Sequence, residues 1–175
     1  NNFEGDDDRE RIQNAIDYAK ANGLTKVFLP PEDFVLESSH PDYTGVGIYI
    51  PEGVSLEGIA QTTRIFTSVN LESLVTIEKA SRGCVLKNIV LHATNKDFGD
   101  RKAIKGIKLL NPSGYLLAEN LYIQGFEVGF EGELWASTFI RCSMIRNDIG
   151  FKMKNGTSLS FISTGVNRSN IGYEL

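Results

Sequence analysis

A cationic surplus, a metal-ligand cluster and a long apolar run are all missing from this chain of 175 residues. Its 18 lysines and arginines are outnumbered by 22 aspartates and glutamates, leaving a formal charge of −4. Neutralising a phosphate backbone takes a basic stripe, so nucleic acid is excluded as a partner. Nowhere do about 18 apolar residues follow one another, so no helix can cross a membrane. The two histidines, His40 and His92, stand apart from the two cysteines, Cys84 and Cys142, and offer no zinc spacing. Glycine loops that cradle nucleotides are absent, as is the nucleophile elbow of serine hydrolases. No metal and no cofactor is expected. Cys84 and Cys142 sit among apolar residues and read as buried, reduced thiols.

What the chain does have is repetition. Val128-Gly129-Phe130 returns as Ile149-Gly150-Phe151 after 21 residues and as Ile171-Gly172-Tyr173 after a further 22. Such a period, with alternating apolar residues, marks coils stacked on coils, in which no unit buries its apolar face alone. Residues two apart share a side of a strand. Val128, Phe130 and Gly132 should therefore lie under Ile149, Phe151 and Met153, and these under Ile171, Tyr173 and Leu175, all facing one core. Leu121 and Ile123, Cys142 and Met144, and Thr164 and Val166 form a second inward ladder by the same spacing. The expected fold is all-β, a right-handed single-stranded parallel β-helix with an N-terminal capping α-helix.

The helix is expected over about residues 7–22. Asp6, Asp7 and Asp8 supply carboxylates to its start, Ile12, Ala15, Ile16 and Ala19 share one face, and Asn22-Gly23 stops it. Such a helix would plug the apolar end of the solenoid. Residues 1–46 thus form a cap of helix and short strands, and residues 47–175 form the coils. The ending inside an apparent strand, at Tyr173-Glu174-Leu175, predicts that further coils follow in a longer protein. A polar insertion follows the second coil, between His92 and Lys102, and insertions in solenoids gather on one, often functional, face.

Three phrases near the start carry a family likeness: Gly5-Asp6-Asp7-Asp8, Ile12-Gln13-Asn14-Ala15-Ile16-Asp17 and Val27-Phe28-Leu29-Pro30-Pro31. Together with Gly53-Val54-Ser55-Leu56-Glu57-Gly58 they resemble the N-terminal segment of the pectate-lyase-like β-helix superfamily. Glu32-Asp33 stand where that family usually has a glycine. The later phrases Gly150-Phe151-Lys152-Met153 and Asn155-Gly156-Thr157-Ser158-Leu159-Ser160 are most similar to bacteriophage tailspikes and polysaccharide depolymerases. The resemblance implies binding, and in the full-length protein depolymerisation, of bacterial surface polysaccharide. It further implies a homotrimer and an extracellular location, on the virion tail if the protein is of phage origin. A secreted pectinase-like enzyme and a non-catalytic structural or adhesion module are the alternatives.

Hydrolysis of a glycosidic bond takes two carboxylates on either side of it, about 5 Å apart for retention and more for inversion. Coils about 4.8 Å apart can supply such a pair by stacking. Glu127 and Asp148 occupy equivalent places before the Gly-Phe phrase, with Asn170 above them, and are the candidate catalytic pair. Two carboxylates so close would raise one pKa, as a general acid requires. Glu133, Trp135, Arg141 and Tyr122 are the candidate substrate contacts. The single tryptophan could serve as a platform for a sugar ring, with Arg141 and Glu133 reading hydroxyls and Tyr122 facing out of its strand. Glu131, Lys152 and Glu174 form an outward ladder of alternating sign, read as a solvated surface stack.

Overall fold

Asp7 begins the one helix among the described residues: its carboxylate accepts the Glu10 amide at 2.8 Å, capping α1 (Asp8–Ala21). Gly23, at φ 67°, turns the chain away after the Asn22 C-cap. Ile12, Ala15, Ile16 and Ala19 are buried as the spacing predicts. Asp7 therefore caps the helix, while Asp8 bonds Arg11 and the Val35 amide. The computed structural model describes residues 4–80, 83–97 and 99–174, so Phe98 and the predicted rung at Leu175 lie outside the described residues.

Beyond the helix the chain winds as a right-handed parallel β-helix whose coils each donate one strand to three sheets. The first coil carries β1 (Lys26–Phe28), β2 (Asp33–Leu36) and β3 (Val46–Ile50), and the second β4 (Ser55–Glu57), β5 (Arg64–Thr67) and β6 (Leu71–Ile77). The third carries β7 (Val85–Lys87), β8 (Val90–His92) and β9 (Ala103–Leu109). A short β10 (Ser113–Gly114) precedes the fourth, made of β11 (Leu117–Glu119), β12 (Tyr122–Gln124) and β13 (Val128–Gly132). After β14 (Leu134–Trp135) come β15 (Thr138–Ile140), β16 (Ser143–Ile145) and β17 (Ile149–Met153), then β18 (Ser160–Ile162), β19 (Gly165–Asn167) and β20 (Ile171–Glu174). Sheet A stacks β1, β4, β7, β11, β15 and β18; sheet B stacks β2, β5, β8, β12, β16 and β19; sheet C stacks β3, β6, β9, β13, β17 and β20. The short strands before residue 47 are thus already rungs of all three sheets, and the solenoid starts at Lys26.

Helix α1 closes this end by bonding strand edges as well as by covering apolar side chains. Gln13 donates to the Tyr49 carbonyl and accepts from the Tyr49 amide, both at 3.0 Å. Asp8 accepts the Val35 amide at 2.8 Å. These side chains satisfy backbone groups that an open sheet would leave free to pair with another chain.

Register follows the predicted ladders. Ile123 pairs with Leu91 below and Met144 above, and Met144 with Val166. Val128, Phe130 and Gly132 pair with Ile149, Phe151 and Met153, and Ile149 and Phe151 with Ile171 and Tyr173. Phe139 stacks on Phe161 with centroids 5.1 Å apart, and Phe151 on Tyr173 at 5.2 Å. One expectation about facing is corrected. A Cβ on Gly129 would lie 2.9 Å from Met144 Sδ, so the glycine also points inward, and Val128, buried at 8% exposure, lies outside the main apolar cluster. Along the ladder Val128, Ile149 and Ile171, burial falls towards the last coil, where Ile171 is 45% exposed. The bend from sheet B into sheet C brings the strand too close to the core for a side chain, which is why the repeated phrase carries glycine.

The bend from sheet A to sheet B recurs with left-handed backbone at Asn88, Asn120, Arg141 and Ser163, and that from B to C at Gly125, Arg146 and Arg168. Inside the second bend Asn147 is buried, accepting the Phe126 amide at 2.9 Å and donating to the Ile123 carbonyl at 3.0 Å. That side chain ties one coil to the next where the strands part.

Candidate functional site

Glu127 and Asp148 come to the same corner, immediately before β13 and β17. The backbone places them there: the Ile149 amide donates to the Glu127 carbonyl at 2.7 Å, and the Asp148 amide to the Phe126 carbonyl at 3.0 Å. Between the two carboxylates lies a residue that the sequence reading passed over. Arg101, closing the polar insertion, donates from Nη1 to Asp148 Oδ2 at 2.9 Å and lies 3.7 Å from Glu127 Oε1. Its Nε donates to the Gly125 carbonyl at 2.8 Å. Both carboxylates remain about half exposed, and a cation screens each from the other. The arrangement fastens the inserted loop to the next two coils and edges a groove of about 390 Å3 lined by Leu71, Glu72, Lys102 and Ile104. A basic residue at the exit of a polar insertion, one coil before an acidic position, was the available signal.

The candidate sugar contacts are divided among different faces. Glu133 and Trp135 flank the buried Leu134 and so share the outer side of the corner between sheets C and A. Trp135 is 39% exposed. Its indole lies on Gly114, its register partner one coil below; a Cβ there would be 2.7 Å from Cδ1 and Cε2. Beside it Tyr115 is 61% exposed and donates its amide to the Trp135 carbonyl at 3.2 Å. Subtracting one coil period from Trp135 would have found Gly114. Arg141 sits at the opposite corner, between sheets A and B, with Nη2 2.6 Å from Glu119 Oε1. Lys87 reaches the same carboxylate at 2.8 Å, and the bonds from Lys87 and Arg141 hold the Glu119 carboxyl below its ordinary pKa. Tyr122 is on the outer face of sheet B, where its hydroxyl accepts from Gln61 Nε2 at 3.1 Å. Arg141 and Tyr122 therefore join neither Trp135 nor the Glu127–Asp148 corner.

Sheet C connects the two groups that do assemble. Strand β13 runs from the Glu127 corner to the Trp135 corner, roughly 16 Å at about 3.3 Å per residue. Between them an ionic lattice covers the outer face: Lys105 pairs with Glu131 at 3.2 Å and Lys152 with Glu174 at 2.9 Å. Lys105 and Lys108 also converge on Glu72, at 3.3 and 2.7 Å. Their hydrogen bonds, that of Lys108 foremost, draw the Glu72 carboxyl below its ordinary pKa.

The histidines are structural. His92 is buried and stacked on Phe66, with centroids 4.5 Å apart and planes 3° from parallel. Burial, reinforced by the nearby Arg64 charge, lowers its pKa to about 4. His40 is buried against Tyr43 and Tyr49, and its Nδ1 accepts the Asp42 amide at 3.1 Å. Cys84 and Cys142 are buried free thiols, with pKa values pushed up by burial to about 12 and about 11. Among the described residues no three His, Cys, Asp or Glu side chains gather as metal ligands. No protein-family model matches the chain, and no curated protein matches it.

Proposed function

We propose that this β-helix binds bacterial surface polysaccharide, in the manner of the phage tailspikes and depolymerases that its later coils resemble. The carrying observation is the indole of Trp135, seated on Gly114, partly exposed and beside the exposed Tyr115. Aromatic faces held rigidly at a surface suit the apolar face of a pyranose ring, and a fixed ring loses little entropy on binding. A glycan lying across sheet C from Trp135 would meet Glu133 beside the platform, then the charged lattice, then Glu127 and Asp148.

In this reading Glu127 and Asp148 are the carboxylates that flank the scissile bond in the full-length protein, with Arg101 shifting from Asp148 to the substrate. The reading implies a homotrimer when full length and an extracellular, virion-tail location. A second reading, adhesion without cleavage, is favoured by the ion pair that occupies both carboxylates. The deciding assay is depolymerisation of capsular and cell-wall polysaccharides by the full-length protein, read by reducing ends and by absorbance of unsaturated products. We expect Trp135→Ala to weaken binding by about 1–3 kcal/mol. Under the depolymerase reading a Glu127→Ala, Asp148→Ala double variant binds but does not cleave. Binding with no cleavage by the unaltered protein establishes adhesion, and no binding to any glycan sinks both.

A further inference from the structure

The outer face of sheet B carries a second groove, of about 710 Å3, bounded by residues 31–33, by the turn before β5 and by the inserted loop. Its floor is the cross-strand pair Asp33 and Arg64, direct partners on β2 and β5. Arg64 donates from Nε to Asp33 Oδ1 at 2.5 Å and from Nη2 to Oδ2 at 2.8 Å. That two-pronged bond uses the side edge of the guanidinium and orients it. Its end edge, the two N–H groups of Nη1 and the second of Nη2, has no partner among the described residues. The guanidinium lies 5.8 Å from the Phe66 ring, which in turn stacks on His92. A planar fork is thus held in place with donors to spare.

The groove's other groups complete a receptor. Lys96, from the inserted loop, pairs with Asp33 Oδ2 at 3.7 Å, too far for a hydrogen bond, and its ammonium has no hydrogen-bond partner among the described residues. Arg64 and Lys96 face Asp33 between them, while Arg11 bridges the neighbouring Glu32 at 3.1 Å and Asp8 at 2.7 Å. At the far side Gln61, bonded to Tyr122, presents amide and hydroxyl groups suited to sugar hydroxyls.

We propose that this groove is a subsite for the carboxylate of an acidic sugar residue, gripped by the free edge of Arg64 and by Lys96. Asp33 and Glu32 line the same groove and repel a doubly charged phosphate more strongly than a monoanionic carboxylate. Guanidinium forks favour two in-plane oxygens, and the pairing is charge-assisted. The inference rests on the polysaccharide reading, and it gives Tyr122 a place in binding away from Trp135.

The test is titration calorimetry of the chain with hexuronic-acid oligosaccharides and with the same oligosaccharides after reduction of their carboxyl groups. A preference for the acidic form of about tenfold is expected, the scale of one charge-assisted pair. Arg64→Lys, which keeps the charge but loses the fork, should reduce that preference, and Arg64→Gln and Lys96→Ala should abolish it. Thermal melts of each variant establish that the fold survives, and the acidic-to-neutral ratio is insensitive to a uniform loss of active protein. Trp135→Ala should weaken both forms alike and leave the ratio unchanged. An equal affinity for both forms, or a ratio that survives Arg64→Gln, overturns the subsite while polysaccharide binding stands. Tighter binding of phosphorylated than of carboxylated sugars overturns the carboxylate assignment. No binding of either form overturns the polysaccharide reading and the subsite with it.

Discussion

At the residue scale, His92 is the group whose ionisation bears most directly on stability. Its pKa is lowered to about 4 in the folded state, so the unfolded chain binds its proton first. Stability from this group is complete above about pH 6.5 and is lost as pH falls towards 4, up to about 3 kcal/mol. Urea denaturation at pH 7 and pH 4.5 should show that loss, and His92→Phe, which keeps a ring against Phe66, should reduce it. An undiminished pH dependence in the variant would put the proton uptake elsewhere, with His40, shifted the same way by burial, as the next group to test. Cys84 and Cys142 give a second prediction at this scale. Both thiols are buried and protonated far above neutral pH, so an aromatic disulfide reagent should leave them unlabelled until the protein unfolds. Apolar spacing was enough to read both cysteines as buried. His92 was not legible in the same way, because its cover comes from Phe66, a strand away in the sheet and 26 positions earlier in the chain.

At the element scale, the corners decide how the strands can follow one another. Asn147 bonds the coil beneath it, whereas the equivalent place in the last coil is held by Ser169, whose buried hydroxyl has no partner among the described residues. Ser169→Asn would reach the Asn147 amide and the Met144 carbonyl as Asn147 reaches Phe126 and Ile123. A gain of about 1 kcal/mol is expected in the denaturation midpoint, and a loss would show that the last corner has a different geometry. Gly114 supports a prediction with both a structural and a functional readout. Gly114→Val fills the space of the Trp135 indole, so it should cost about 1–3 kcal/mol and lift the ring off its seat. The tryptophan fluorescence should move towards that of a solvated indole, and glycan affinity should fall with it. The repeat of Gly129 and Gly150 was visible in the sequence, but its inward direction was not. Strict alternation hid it, because Gly129 and Phe130 both face the core where the bend from sheet B to sheet C breaks that alternation.

At the scale of the whole molecule, stability should vary along the solenoid axis, because each coil is supported only by its neighbours. Helix α1 covers the first coil, while in the last coil Ile162, Ile171 and Tyr173 are 52, 45 and 41% exposed. Hydrogen exchange should be slowest in β6, β9, β13 and β17 and fastest in β18, β19 and β20, and uniform protection would contradict the stacked-unit account. The sequence by itself determined the class of fold, the capping helix, the coil period and the register of the main ladders. These depend on short-range spacing, which a strand's twofold period and a recurring phrase of 21 or 22 residues make visible. It also brought Glu127 and Asp148 to one corner, since they are equivalent places in successive coils. Only the tertiary structure decided that Arg101 stands between them, that Trp135 lies on Gly114, and that Arg141 and Tyr122 occupy other faces. Which side of a three-sided coil a residue faces depends on where each corner bends. Which side chain reaches it depends on insertions such as the one between His92 and Lys102, which keep no period.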